Sequence, residues 1–240
     1  MSMLWYKAWL ETRVRFLICL GGITALCAWN VYQTDREITT IVSDAFYSSV
    51  LHARHELLVL MWVLAVNLIM MGGLLREKAT GAASFNLALP VGRARMAGVR
   101  IAVGLIQMLV LIALPWIGMY LAGSAFGRTH SVSQVFFHAG LMAGGGVVYF
   151  AIALLAASVV DGEYTAPIAA FGVVLVIAST LSSPGTRTYN PLYFMMGSGF
   201  YNGRTALLAG PIPWAQIGIY ALIAACLTWG SIKALQARDF

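Results

Sequence analysis

Few residues in this sequence are placed to do chemistry, and their spacing limits what that chemistry can be. His52-Ala-Arg-His55-Glu56 sets two imidazoles three positions apart beside a carboxylate. On a helix, positions i and i+3 share a face, which is compatible with two ligands of a metal ion. No third well-placed ligand is evident, and two exposed histidines at a helix–membrane junction are the plainer reading. Gly197-Ser198-Gly199 has the outline of a serine-nucleophile turn, but no histidine follows it in the last apolar run and the motif is too short to stand alone. Cys19, Cys27 and Cys226 fall within apolar runs with no CxxC pair, so neither a disulfide framework nor a zinc site is expected. No GxxxxGK[ST] pattern occurs, so ATP, if it is used, is bound by another chain.

The elements that must position these residues are apolar. Of 240 residues, 60% are hydrophobic and 10% charged, against roughly 45–50% and about 25% in a soluble domain. This is the composition of an integral membrane protein. A span needs about 20 apolar residues, which leaves room for about six and for no sizeable soluble domain. The net charge of +6 is spread over the connections and is not a nucleic-acid signal. The expected fold class is all-α integral membrane, a single transmembrane domain over residues 1–240.

In chain order, residues 1–15 read as an amphipathic interfacial helix. Trp5, Trp9, Thr12 and Phe16 recur on one face, and Lys7, Glu11 and Arg15 form an i, i+4 string on the other. A basic flank that anchors the first span is the alternative reading. The apolar run that follows is too long for a signal peptide and lacks an A-x-A site, so it reads as a retained span. The six spans fall at about 16–32, 57–75, 101–122, 135–160, 166–181 and 215–232. Residues 33–56 between the first two carry an external amphipathic helix. Pro115 predicts a kink in span 3. Span 4 contains Gly140-x-x-x-Gly144 followed by Gly145 and Gly146, small residues that let neighbours approach closely, unless they reflect only the general abundance of glycine in membrane helices. Residues 182–214 are apolar and aromatic yet broken by Pro184, Pro191, Pro211 and Pro213. Non-helical backbone at membrane depth survives only when buried in protein or beside water, so short external re-entrant helices are expected there.

The stretch 76–100 organises the rest. It carries Arg76, Lys78, Arg93, Arg95 and Arg100 with one acid, Glu77, around a short amphipathic piece, about 79–89, stopped by Pro90. With both termini inside, ten of the fifteen Lys/Arg lie inside and five outside, the bias that the positive-inside rule favours. The same orientation puts all four histidines, His52, His55, His130 and His138, at or near the outer face. The stretch therefore reads as a cytoplasmic loop that holds a small helix against a partner protein. The spans offer Asn67 and Gln107 but no charge at their centres, which speaks against an ion-coupled carrier and an intramembrane protease.

This order of elements resembles the membrane subunit of an ABC-2 type transporter, the ABC exporter class. The local match is Leu75-Arg-Glu-Lys-Ala-Thr-Gly81 followed by Leu87-Ala-Leu-Pro-Val-Gly-Arg93. The family often reads RE-x-x-x-G, then a leucine-rich run, then L-P-V-S-R; here Gly92 replaces the serine and Ala82 stands where threonine is common. The resemblance implies that residues 76–89 form the coupling helix that sits in a groove of a separate ATPase subunit, which binds ATP and magnesium; the chain itself would bind no cofactor. It implies an ATPase contact made by Arg76, Glu77, Lys78, Gly81, Leu89, Pro90 and Arg93, with Arg93 also placed to meet lipid phosphates. It implies a second copy of the chain, or a homologous permease, to complete the pathway, and an outer gate formed by Tyr189, Tyr193, Phe194, Phe200 and Tyr201. The competing reading is a membrane scaffold or assembly factor without transport, which accounts for the loops but not for the re-entrant stretch. An intramembrane enzyme would need more convergent polar residues.

Overall fold

The computed structural model describes residues 2–37, 44–70, 92–125, 132–160, 162, 164–201, 208 and 210–237. Side chains are described for all of these except 2, 37, 44–54, 93 and 94. The regular elements among them are α1 (Ser2–Glu37), α2 (Asp44–Met70), α3 (Arg93–Ala125), α4 (Val132–Val159), α5 (Thr165–Thr180), a 3-10 turn (Arg187–Tyr189), α6 (Pro191–Met195) and α7 (Trp214–Ala237). An isolated bridge joins Tyr201 to Leu208. Among the described residues, four segments are long and apolar enough to cross a membrane: Met3–Arg36, Arg95–Ala125, Val132–Val159 and Trp214–Ala237. His55–Met70 and Thr165–Thr180 are shorter apolar helices.

α1 joins the expected interfacial helix and the first span into one uninterrupted helix. Nothing in residues 2–20 breaks it: no proline or glycine occurs there, and Lys7 and Glu11 pair at 3.7 Å one turn apart. Its 36 residues make a rod of about 54 Å, longer than a hydrocarbon core of about 30 Å. α3 likewise begins at Arg93, eight residues before the expected third span, so 93–100 is helical rather than loop. Pro115 is accommodated inside α3 without ending it.

Contacts between named residues fix the helix directions. Glu11 meets Arg100, Thr12 meets Gln107, and Thr24 lies beside Gly118, so α1 and α3 run parallel. His55, near the middle of α2, packs on Trp116 and Met70 in its last turn lies against Gly104, so α2 runs against both. α4 also opposes α3, from His138 beside Trp116 to Phe150 beside Gly104. α7 runs parallel to α4, from Ile217 at Gly144 to Ser231 at Ser158. One end of the bundle thus holds Lys7, Glu11, Arg100, Ser158 and Ser231; the other holds His55, Trp116, His138 and Tyr201.

The core between these helices is apolar and tightly filled, with Trp62, Ile69, Leu111, Leu141, Tyr149, Phe150 and Met195 wholly buried. The glycines of α4 are what allow this. A Cβ at Gly146 would run into the Trp62 indole, and one at Gly145 would lie 2.6 Å from Met195 Cγ and 2.9 Å from the Pro191 carbonyl oxygen. Gly144 admits Ile217, whereas Gly140 faces open space. The close approach expected of this stripe is therefore to α2, α6 and α7 together, and it begins at Gly144. Three hydrogen bonds tie buried polar groups along and between helices. Gln107 Nε2 donates to Thr12 Oγ1 at 2.7 Å, Asn67 Nδ2 donates to the Val63 carbonyl at 2.8 Å, and the hydroxyls of Ser158 and Ser231 share a hydrogen bond of 2.5 Å.

Candidate functional site

The Asn-Pro dipeptide at 190–191 starts the site. Asparagine favours the N-cap and proline the first helical position, and here they open α6. Asn190 Oδ1 accepts the Leu192 amide at 3.0 Å. Its Nδ2 donates to the carbonyls of Ala178 and Leu181, each at 3.4 Å. One buried side chain therefore caps the start of α6 and satisfies carbonyls that the end of α5 leaves unpaired.

α6 then lies on α4. Pro191 and Met195 meet Gly145, halfway along the 28-residue α4, so the five-residue helix sits about 20 Å from the start of α4. The chain climbs back through Gly197, whose φ of 70° belongs to the left-handed region that glycine enters freely. It is then fixed to the first turns of α4 by two contacts. Gln134 holds Leu208 by a reciprocal pair: its Nε2 donates to the Leu208 carbonyl and its Oε1 accepts the Leu208 amide, both at 2.9 Å. His138 Nε2 shares a 2.7 Å hydrogen bond with the Tyr201 hydroxyl.

The His138 bonds orient its ring. Nδ1 lies 2.9 Å from the Gln134 carbonyl oxygen, which can only accept, so Nδ1 carries hydrogen and, in the neutral form, Nε2 is the acceptor for the Tyr201 hydroxyl. Burial pushes the Tyr201 phenol above its ordinary range, so it remains a donor at neutral pH. Around this pair, Trp116 stacks on His138 at 4.6 Å between ring centroids, and His55 packs edge-on to His138 at 5.5 Å. The Trp116 indole N–H donates to Met142 Sδ at 3.2 Å.

The five expected gate residues divide. Phe194 is 2% exposed and meets Phe200 and Tyr220 edge-on at 5.8 and 5.1 Å. Phe200 also faces Phe137 at 6.3 Å, and Tyr201 joins the same layer through His138. Tyr193 flanks the layer with the Arg187 guanidinium 4.1 Å above its ring. The Tyr189 ring is 67% exposed, and only its carbonyl takes part, accepting the Tyr220 hydroxyl at 3.2 Å. Of the expected ATPase contacts, Arg76, Glu77, Lys78, Gly81, Leu89 and Pro90 lie outside the described residues, and Arg93 is described by its backbone, as the first residue of α3.

Sequence reasoning missed the meeting of His55, Trp116, His138 and Tyr201. The available signal was the placement of the histidines at one end of the spans. As for the metal reading, the His52 side chain and His130 lie outside the described residues, and no cluster of three or more His, Cys, Asp or Glu occurs among the described ones. The arrangement holds a layer of aromatic side chains against the first half of α4 by polar contacts at Gln134 and His138. Compared with known proteins, the chain matches no protein-family model and no curated protein.

Proposed function

We propose that this chain is the membrane-spanning permease subunit of an ATP-driven exporter of the ABC-2 type. In this reading α1, α2, α3, α4, α5 and α7 are its six crossings, α6 is a re-entrant helix in the outer leaflet, and both termini are cytoplasmic in the cell membrane. The observation that carries the reading is the alternation of helix direction. α2 runs toward, and α3 starts from, the end of the bundle where α1 starts and α7 finishes, opposite the aromatic layer, which supports a connection carrying the basic residues 76–90 on the cytoplasmic side. A re-entrant α6 is supported by its seat halfway along α4.

The mechanism follows from these positions. A separate ATPase subunit, carrying ATP and magnesium, takes residues 76–89 in its groove through Arg76, Glu77, Lys78, Gly81 and Leu89. A second copy, or a homologous permease, completes the pathway by symmetry. Closure of the ATPase pair drives the two coupling segments together, and rigid-body tilting of the helices opens the aromatic layer of Phe194, Phe200 and Tyr201. The test is native mass spectrometry of the tagged chain extracted in mild detergent from its own host. Two copies with two copies of an ATP-binding protein are expected. The chain alone, or with partners lacking an ATPase, would overturn the reading in favour of a membrane scaffold.

A further inference from the structure

Three sulfur-bearing side chains meet inside the bundle. Cys27 of α1, Met119 of α3 and Met142 of α4 are all buried, and all three line one cavity of about 10 Å³. That is room for about one water-sized sphere. Helix register brings them there. α1 and α3 run parallel with Thr24 beside Gly118, which sets Cys27 within a turn of Met119. Trp116, one turn before Met119, also lines the cavity and donates its indole N–H to Met142 Sδ at 3.2 Å, which fixes the position of that sulfur. A thioether sulfur has two lone pairs, so this bond leaves one for another partner. Cys27 is a free thiol.

The lining selects its occupant. Besides the sulfurs it consists of His55, the rings of Trp62 and Trp116, and aliphatic carbon; among the described residues no carboxylate, side-chain amide or hydroxyl lines it. Hard cations such as calcium and magnesium, which take oxygen ligands, are therefore poorly served. Thiolate and thioether donors favour soft ions, Cu(I) among the first. Charge leads to the same ion. One thiolate and one monovalent cation sum to zero, whereas a divalent ion on a single thiolate would bury a net positive charge at high cost. An indole face attracts a cation that sits against it, which suits a wall made in part by Trp116.

We propose that this cavity binds one Cu(I) ion through Cys27 Sγ, Met119 Sδ and Met142 Sδ. The thiol S–H bond breaks and a Cu–S bond forms in its place, the proton passing to solvent. The two thioethers add as neutral donors, and the copper keeps its oxidation state. Methionine side chains are flexible enough to close on the ion without a backbone shift. The three sulfurs suffice as ligands, and no step uses the His55 nitrogens. The site lies beside Trp116, on which His138 stacks, so the ion is held at the same end of the bundle as the aromatic layer. It does not depend on coupling to an ATPase or on transport.

The test is titration of the purified full chain, in detergent and without oxygen, with Cu(I) held as its bicinchoninate complex and ascorbate as reductant. The unaltered chain is expected to withdraw one equivalent. Cys27→Ser, Met119→Leu and Met142→Leu should each weaken that uptake by more than about tenfold, the loss that even the supporting residues of a metal site bring. Methionine to leucine nearly conserves volume, so those two variants keep the core filled. Cys19→Ser with Cys226→Ser should leave the uptake unchanged. No uptake by the unaltered chain, undiminished uptake after Cys27→Ser or after both methionine replacements, or a loss confined to the Cys19 and Cys226 variant would overturn the proposal. X-ray absorption at the copper edge needs no variant. A shell of sulfur is expected around the ion in the loaded, unaltered chain, and a shell of nitrogen and oxygen alone would overturn the site equally. Absence of an ATPase from the preparation would leave both readouts unchanged.

Discussion

His138 and Tyr201, 63 positions apart, share a 2.7 Å hydrogen bond that fastens the chain after α6 to the second turn of α4. Tyr201→Phe keeps the ring and removes the donor. It should cost about 1 kcal/mol of stability and speed hydrogen exchange over residues 197–201, with exchange elsewhere in α4 little changed. Unaltered exchange in that segment would show that the bond does not hold it.

The same phenol predicts a response to alkali. Its proton is held more tightly in the folded chain than in the unfolded one, where phenols ionise near 10. Stability from this group is therefore constant below about pH 10 and falls as pH rises above that value, because the unfolded state loses its proton first. Thermal unfolding in detergent between neutral and strongly alkaline pH should fall less steeply for Tyr201→Phe than for the unaltered chain.

Asn190 serves two helices at once, which makes its substitutions separable. Asn190→Ala should lower stability by about 1–2 kcal/mol. Asn190→Asp keeps the oxygen that caps α6 but loses the donor to the Ala178 and Leu181 carbonyls, and should recover only part of the loss. Melting temperatures of the two variants check the order; equal values would remove one of the two roles.

Gly140 and Gly146 offer an internal comparison on one helix. A methyl at 146 meets the buried Trp62 indole, and overpacking of this kind costs about 1–3 kcal/mol. A methyl at 140 meets nothing and should be neutral to within about 0.5 kcal/mol. A melting comparison of Gly146→Ala with Gly140→Ala tests the packing directly.

Arg76→Glu combined with Glu77→Lys reverses both charges at the start of the proposed coupling segment without altering their sum. Membrane insertion should be unchanged, while ATP hydrolysis by the partner subunit should no longer drive export. A vesicle assay that reads hydrolysis and cargo movement together checks this, and unchanged transport would count against the assignment.

The apolar runs announced the long helices because in a membrane the backbone must satisfy itself, and a helix does so locally. Helix ends were harder to read: hydropathy marks where lipid contact stops, not where hydrogen bonding stops, so α1 and α3 extend past their expected spans through Lys7–Glu11 and through Arg95 to Arg100. Pro191 was legible as a break, since proline acts locally; the capping role of Asn190 beside it was not drawn. The cluster of His55, Trp116 and His138 was not, because its members come from three helices and meet only when those helices pack. Likewise the glycines of α4 signalled close contact but not that Trp62 and Met195 would supply it.

α4 and α7 touch at Gly144 with Ile217 and again at Ser158 with Ser231, and the chain length between the two contacts is the same on both helices. Two fastenings at equal intervals stop one helix from sliding or swinging along the other, so the pair behaves mechanically as a single stiff plate. α1 and α3, joined at Glu11–Arg100, Thr12–Gln107 and Thr24–Gly118, form a second plate. Between them lie α2, with Trp62 set into Gly146 on one side and Met70 against Gly104 on the other, and the direct contacts of α3 with α4 at Trp116–His138 and Gly104–Phe150. Movement of one plate against the other must therefore slip across these contacts, and a cross-link between α3 and α4 should hinder it more than one between α4 and α7.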